Sequence, residues 1–589
     1  MQRPSYADLL RARLGRREFL AALGASTVPL ALPAWLAPTP RFEALDPSTA
    51  DDVRVPDGYV AETLLAWGDP LFPDAPTFDP ARLSATSQRR QFGFNADFVA
   101  FMPFSRGSSA HGILCVNHEY TLRNVMFPGR SGEAATAEEV DIAKAAQGMS
   151  FVAVHRDETG RWHVDRADAR NRRIHGETPM RLSGPAAGSK LLRTQAEPTG
   201  TRVHGTLGNC GGGKTLWGTV LTAEENINEY FGRAGDIEDE RLRNDHLRFG
   251  AGREVSLRGW EQADPRFDLT REPHEAYRFG WVVELDPFDP RSTPVKRTAL
   301  GRFKHESATC ALAQDGRVVV YSGDDERFQF LYKFVSERRF VPGGENQDLL
   351  DTGTLFVAAL EEDGSGQWLP LRPEGALRDW SQADILVRAR EAAALLGATP
   401  MDRPEDIELH PVNQRVYVAM TNNSERTAAS PGNPRTRNLH GHVLEIDEAR
   451  GDLAALEFTW TPLLLGGDQE HDGGFYGGHR LGPDEHLSCP DNLAFDSAGT
   501  LWVATDGQPK TLGTNDALYA VATTGMERGR PRRFLTGPVG AEITGPELTP
   551  DDRSLFISMQ HPERWPDHGG TPRAAVVVVR KLDLGRIGT

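Results

Sequence analysis

Residues 209–226 read NCGGGKTLWGTVLTAEEN, and the fold turns on how this stretch is taken. Counted from Gly208, GNCGGGKT carries the letters of a phosphate-binding loop, G-x-x-x-x-G-K-[ST]. Such a loop runs from a strand into a helix, whose N-terminus helps to cradle the phosphate. Here Thr215 is followed by LWGTVL, which has the composition of a strand. The match is literal but out of context, and nucleotide binding is set aside. The reading kept is a flexible glycine turn before a strand, with Cys210 presented by the turn and an acidic pair, Glu224 and Glu225, after the strand. Adjacent residues of a strand point to opposite faces, so one of the pair faces a site.

The same pattern of turn, β run and polar cluster recurs along the chain. It appears as AHGILCVNHEY ending at Tyr120, DGRVVVYSGDDE over Asp315–Glu326 and NQRVYVAMTNNSE over Asn413–Glu425. It appears again as AGTLWVATDGQ over Ala498–Gln508 and DRSLFISMQHPE over Asp552–Glu563, six copies in all with the opening stretch. A small antiparallel sheet cannot bury both faces alone, whereas sheets packed around an axis can. The expected fold is all-β, a six-bladed β-propeller with helical and loop insertions, forming a single domain over 38–589. Two β-sandwiches in tandem are the alternative. Helices are expected only over Ala134–Ala146, Trp380–Leu396 and, more weakly patterned, Asn228–Leu242. In a propeller the polar residues at one end of each copy converge on a central channel, although far apart in sequence.

The 589 residues carry a net charge of −17, with 59 glycines and 40 prolines. That balance argues against a nucleic-acid surface and allows local acidic clusters to take cations. The four cysteines, Cys115, Cys210, Cys310 and Cys489, have no C-x-x-C spacing and do not make a disulfide framework. At the start, Arg11, Arg13, Arg16 and Arg17 precede an apolar run from Ala21 to about Leu32. This is a basic region followed by a hydrophobic one, too short and proline-broken for a membrane span. Paired arginines followed by Glu-Phe-Leu resemble a twin-arginine export signal, assigned to residues 1–37. The mature protein is expected in the periplasm or outside the cell, without a stable membrane span and as a monomer.

Carboxylates follow the β runs at matching phases: Glu119, Glu225, Glu306, Asp324, Asp325, Asp491, Asp506 and Glu547, with RPEDIE over Arg403–Glu408 adding Glu405, Asp406 and Glu408. Any one alone reads as a solvated loop residue; together they repel unless a cation neutralises them. Oxygen ligands suit Ca²⁺, Mg²⁺ or Fe³⁺, and a thiolate among them points to a transition metal. Lys214 and Lys304 read as surface lysines. There is no G-x-S-x-G nucleophile motif.

The twin-arginine start, NCGGGKTLWGTVLTAEEN, HESATC, RPEDIE, CPDNLAFD and EITGPELTPDDRSLFISMQHP together resemble the PhoX family of secreted alkaline phosphatases, in order over about Gly93–Gln560. The resemblance implies a six-bladed propeller holding two Fe³⁺ and three Ca²⁺ ions with a bridging oxo group, and hydrolysis of phosphate monoesters. It implies Cys210 as an iron ligand, Glu119, Glu225 and Glu306 as further ligands, and Glu405, Asp406 and Glu408 as an acidic calcium and iron patch. Arg403 resembles the phosphate-contacting arginine, and Glu547 lies in the last motif as a further ligand. The sequence departs from the family at Leu216, where a proline is frequent, and at Ala223, where a cysteine is. The partners implied are small phosphorylated substrates and the twin-arginine export machinery. Two other readings stand beside this one: a calcium-dependent propeller hydrolase of the lactonase or phytase type, and a non-enzymatic exported binding propeller.

Overall fold

The computed structural model describes residues 40–589, apart from 106, 131, 469–472 and 567–569. The export-signal segment, 1–37, lies outside the described residues.

The strands form six units of four or more strands, antiparallel except where Val295–Arg297 pairs in parallel with Pro179–Ser183 in the second. Their leading strands are Ala96–Pro103, Asn209–Lys214, Thr309–Leu312, Pro404–Leu409, Pro490–Phe495 and Glu542–Leu548. Each pairs with a second strand: His111–His118, Val220–Glu224, Arg317–Gly323, Val416–Met420, Leu501–Thr505 and Ser554–Gln560. These second strands are the six β runs whose recurrence marks the sequence. The sixth unit is completed from the far end of the chain, where Tyr59–Ala66 pairs with Ala575–Lys581. The third and fourth units join at their outer strands, Ser365–Gln367 against Glu457–Thr459.

Apolar cores sit between consecutive units. Ile113 of the first packs with Val283 of the second, Val282 of the second with Val320 of the third, and Tyr321 of the third with Val416 of the fourth. Tyr417 and Val503 share the next core, Trp502 and Ile557 the one after, and Phe556 and Phe101 close the circuit from the sixth unit to the first. Covering both faces explains why second strands such as RVVVYSG and SLFISMQ are nearly continuous apolar runs rather than alternating ones. The leading strands also touch in chain order, the sixth returning to the first. Their starts therefore meet.

Two local expectations are corrected. The glycine run is not a flexible turn: Asn209–Lys214 is itself the leading strand, the turn is Thr215–Thr219, and the second strand begins at Val220. The helix sought over Asn228–Leu242 lies at Glu240–Phe249, because Asp239 accepts the Leu242 N–H as its N-cap and Gly250 ends it at φ +95°. The other two segments hold helices at Ala137–Ala146, opened by a Thr136–Glu139 capping box, and at Gln382–Val387 with Ala389–Leu396. No helix among the described residues is long and apolar enough to cross a membrane. All four cysteines are free and buried.

Candidate metal centre

Each unit offers two positions, one on its leading strand or just before it and one after its second strand. The first is at the start of the leading strand: Asp97, Cys210, Glu306, Glu405, Asp491 and Glu542. The second is just beyond the second strand: Glu119, Glu225, Asp325 and Asp506 in four units, with Asn422 and His561 in the fourth and sixth. In five units a residue two places before the first position has positive φ: Asn95 (+44°), Gly208 (+58°), Arg403 (+53°), Cys489 (+54°) and Gly540 (+75°). A register shift follows in all five, between Ala96 and Val99, Asn209 and Gly212, Pro404 and Ile407, Pro490 and Leu493, and Thr544 and Glu547. A left-handed residue and then a bulge re-aim one side chain, a device common beside active sites.

Three groups of ligand atoms result, each within 4.8 Å: Asp97, Glu119 and Cys210; Cys210, Glu225 and Glu306; Glu306, Asp325 and Glu405. Cys210 and Glu306 each belong to two groups, so the three form one chain of possible sites. Cys210 Sγ lies 3.1 Å from Asp97 Oδ2. Gln560 Nε2 donates to Asp97 Oδ2 (2.8 Å) and Glu119 Oε2 (3.2 Å). Arg403 closes the other end, with Nε and Nη2 each 2.8 Å from the Asp325 carboxylate and Nη2 2.9 Å from Glu405 Oε1. Its side chain is 26% exposed, against 2% for Glu405, so the guanidinium borders the cluster on the solvent side.

The electrostatics are those of a site short of positive charge. Burial, then Asp97 and Glu229, push Glu119 up to about 8. Burial raises Glu225, helped by Glu119 and Asp325; it raises Glu306, helped by Glu225 and Glu405; and it raises Glu405, helped by Asp325 and Asp491. The Cys210 thiol is raised by burial and then by Asp97, Glu119, Glu306 and Glu225. Burial works against Asp325 too, but Arg403 outweighs it and holds that carboxyl below its usual value. Glu306 Oε2 is buried with no hydrogen-bond partner. A buried, unpartnered carboxylate oxygen among like charges fits a bound cation. The donor set is hard oxygens plus one sulfur, which suits calcium with iron.

The glycines and the acidic pair now have a physical role. Gly211 and Gly213 lie against residues 306–308, which lead into the strand Thr309–Leu312: a Cβ on Gly211 would be 1.3 Å from the Glu306 carbonyl oxygen, and one on Gly213 2.1 Å from that of Ala308. Gly212 accepts the Ala308 N–H at 3.0 Å. Bare backbone brings Cys210 and Glu306 together. Glu225 joins the cluster while Glu224 turns away, its carboxylate accepting Lys296 Nζ (2.6 Å) and the N–H groups of Gly280 (3.0 Å) and Trp281 (3.1 Å). Asn117 Nδ2 fastens the same strand through the carbonyls of Cys210 (2.7 Å) and Gly211 (2.8 Å).

The structure thus brings Glu119, Cys210, Glu225, Glu306, Glu405 and Arg403 together and sets Asp406, Glu408 and Glu547 apart. Those three line an axial cavity of about 70 Å³ to which all six leading strands contribute. There Glu547 pairs with Lys214 (2.6 and 2.8 Å), and Asp406 accepts the Leu493 N–H at 2.9 Å. Neither Lys214 nor Lys304 is a surface lysine. Lys214 is largely buried, and Lys304 is buried with Nζ 3.1 Å from Glu326. Asp97 and Glu542 escape the sequence reading, which follows the ends of the β runs and not the starts of the strands before them. The signal is a turn-forming or glycine residue two places ahead, as in NAD and GAE.

A family model described as alkaline phosphatase PhoX matches residues 40–563. The chain is similar to a solved structure of Pseudomonas fluorescens PhoX in complex with vanadate, a transition-state analogue. That match has 38% identity and a TM-score of 0.87 over 93% of this chain and 99% of that one. A protein of unknown function from Dyadobacter fermentans matches at 10% identity and a TM-score of 0.37, over 89% of this chain and 100% of that one. No curated protein matches the sequence.

Proposed function

The chain belongs to the PhoX alkaline phosphatase family and is a metal-dependent phosphoric monoester hydrolase, and from that premise we propose that it works through an iron–calcium cluster held by the convergent strand ends. Cys210, with Asp97, Glu119, Glu225 and Glu306, is the iron side, because a thiolate favours a transition metal. Asp325, Glu405, Asp491 and Glu542 supply the oxygen-only remainder, which suits calcium. Two ferric ions, three calcium ions and a bridging oxo group are the composition the family resemblance implies. The observation that carries the reading is the sharing of Cys210 and Glu306 between adjacent ligand groups.

Bound there, the cluster supplies Lewis-acid neutralisation of the charge that grows on the phosphoryl oxygens. The chain's own residues do the positioning. Arg403 is paired with carboxylates that metal ions would engage, which frees its fork of donors for two phosphate oxygens. Lys304 opposes the rise at Glu225 and helps Arg403 hold Asp325 down, so it adds a second positive charge beside the cluster. Gln560 holds Asp97 and Glu119 in orientation. The closed order of the leading strands and the six intervening cores favour a six-bladed propeller as the frame. The Arg16–Arg17 segment supports export by the twin-arginine route to the periplasm or beyond, and the protein is read as a monomer.

The test is elemental analysis of protein purified without chelator, alongside hydrolysis of a simple phosphate monoester. Iron and calcium together, both lost with activity on chelation, is the expected result. Calcium without iron in an active enzyme would overturn the cluster.

A further inference from the structure

A cavity of about 370 Å³ is walled by the segment that follows Glu119 and by Arg258, whose charge acts on Glu119, and nothing in the site chemistry uses it. Its wall begins at Thr121 and Leu122, two and three residues after Glu119. Consecutive Cα atoms are about 3.8 Å apart, so Thr121 lies within about 8 Å of Glu119 along the chain. Tyr120 stands between them, its ring 4.5 Å beneath the Arg258 guanidinium, and Arg258 itself lines the cavity. Leu122, Phe127, Val140, Leu257 and Trp260 supply apolar lining. Leu257 is 74% exposed and Val255, two residues before it, 57%, so apolar surface continues at this edge of the cavity.

The arginines here are already neutralised. Arg258 pairs with Glu229 and donates to the Thr121 carbonyl at 3.1 Å. Arg123 is 3.0 Å from Glu139, and Arg130 is 2.7 Å from the other oxygen of the same carboxylate. A second phosphate would find no unpaired cation among them. An apolar or aromatic group would find hydrophobic walls and the edge of an arginine stack.

We propose that this cavity receives the organic part of the phosphate ester, and that the enzyme therefore favours monoesters of apolar or aryl alcohols over those of small polar alcohols. The inference rests on the phosphatase reading. A contact made equally in ground and transition states changes KM and leaves kcat alone. Leu257 is the residue to vary, because its exposure separates binding from folding.

The experiment compares phenyl phosphate with glycerol phosphate on the metal-loaded enzyme. Leu257→Ser is expected to raise KM for phenyl phosphate about fivefold by removing apolar contact, with KM for glycerol phosphate and both kcat values unchanged. Leu257→Trp is expected to lower KM for phenyl phosphate alone. If both esters move together, or neither moves, the subsite is wrong and the phosphatase reading stands. If the wild-type enzyme hydrolyses neither ester, the phosphatase reading falls and takes the subsite with it.

Discussion

A Cβ atom on Gly211 would lie 1.3 Å from the carbonyl oxygen of Glu306. No rotamer relieves that contact, because both partners are backbone. Gly211→Ala must push the second unit's leading strand away from the third, separating Cys210 from Glu306. Overpacking of this kind costs about 1–3 kcal/mol and sometimes more. The variant is expected to melt lower and to retain less metal than wild type. Gly343→Ala is the control, at φ +72° with nothing near its Cβ, and is expected to carry only the left-handed backbone cost. Equal metal content in the two variants would refute the close-approach role.

Behind the same strand, Glu224 and Lys296 form an ion pair with no solvent exposure. Lys296→Met leaves the Glu224 carboxylate buried against the N–H groups of Leu207, Gly280 and Trp281 without its cation, a change that costs about 3–5 kcal/mol. Glu224→Gln combined with Lys296→Met removes both charges and is expected to recover part of that loss. Denaturant melts of the two variants check it. A double variant no more stable than Lys296→Met would mean that the carboxylate is not the burden.

Cys210→Ser exchanges sulfur for oxygen with little change of shape. The fold is expected to survive, since Asn117 holds this strand through carbonyls and not through the thiol. Iron is expected to fall away while calcium stays, and activity to drop at least about 100-fold, the upper range for losing even an outer partner of a metal site. Elemental analysis reads the first and a phosphate-release assay the second. Full iron occupancy in the serine variant would remove Cys210 from the ligand set.

The residues legible in the sequence were those whose position follows an apolar run. Glu119, Glu225 and Asp325 each close a second strand, and such strands announce themselves because both sheet faces are covered. Asp97 is no less central, yet it is the second residue of a leading strand, where ADFVAFMP shows no turn-run-acid pattern of its own. Glu306 and Glu405 are legible twice, among the carboxylates that recur along the chain and in the motifs HESATC and RPEDIE. Asp406, Glu408 and Glu547 drew attention by charge and lie deeper along the axis, since alternation turns one carboxylate to the cluster and the next elsewhere. The glycine run misled for a physical reason: glycine signals a turn in sequence, but close backbone approach has the same requirement.

Metal removal gives the sharpest pH test. In the metal-free chain burial, then Asp97 and Glu229, push Glu119 up to about 8, and Glu225, Glu306, Glu405, Asp491 and Glu542 are all raised by burial and by neighbouring carboxylates. A carboxyl with a raised folded pKa binds its proton more tightly when folded than when unfolded. Its contribution to stability is complete below the unfolded value and is lost as pH rises through the folded one. The metal-free protein is therefore expected to lose stability between about pH 6.5 and 8; below that window the buried histidines His175, His246, His305, His410 and His442, lowered to about 3 or 4, oppose the trend, because the unfolded imidazole still binds a proton that the folded one has lost. Lys296 and Lys333, both lowered to about 8 by burial, act the other way, but only above that window, where the folded lysine is neutral and the unfolded one still charged. Calcium reverses the trend below 8 by holding the carboxylates ionised, and its binding at pH 7 releases protons. Thermal melts of chelated protein at about pH 6.5, 7.2 and 8, with and without added calcium, measure this. A metal-free melting temperature that stays level or climbs over that range would mean that the strand ends do not gather their carboxylates as described.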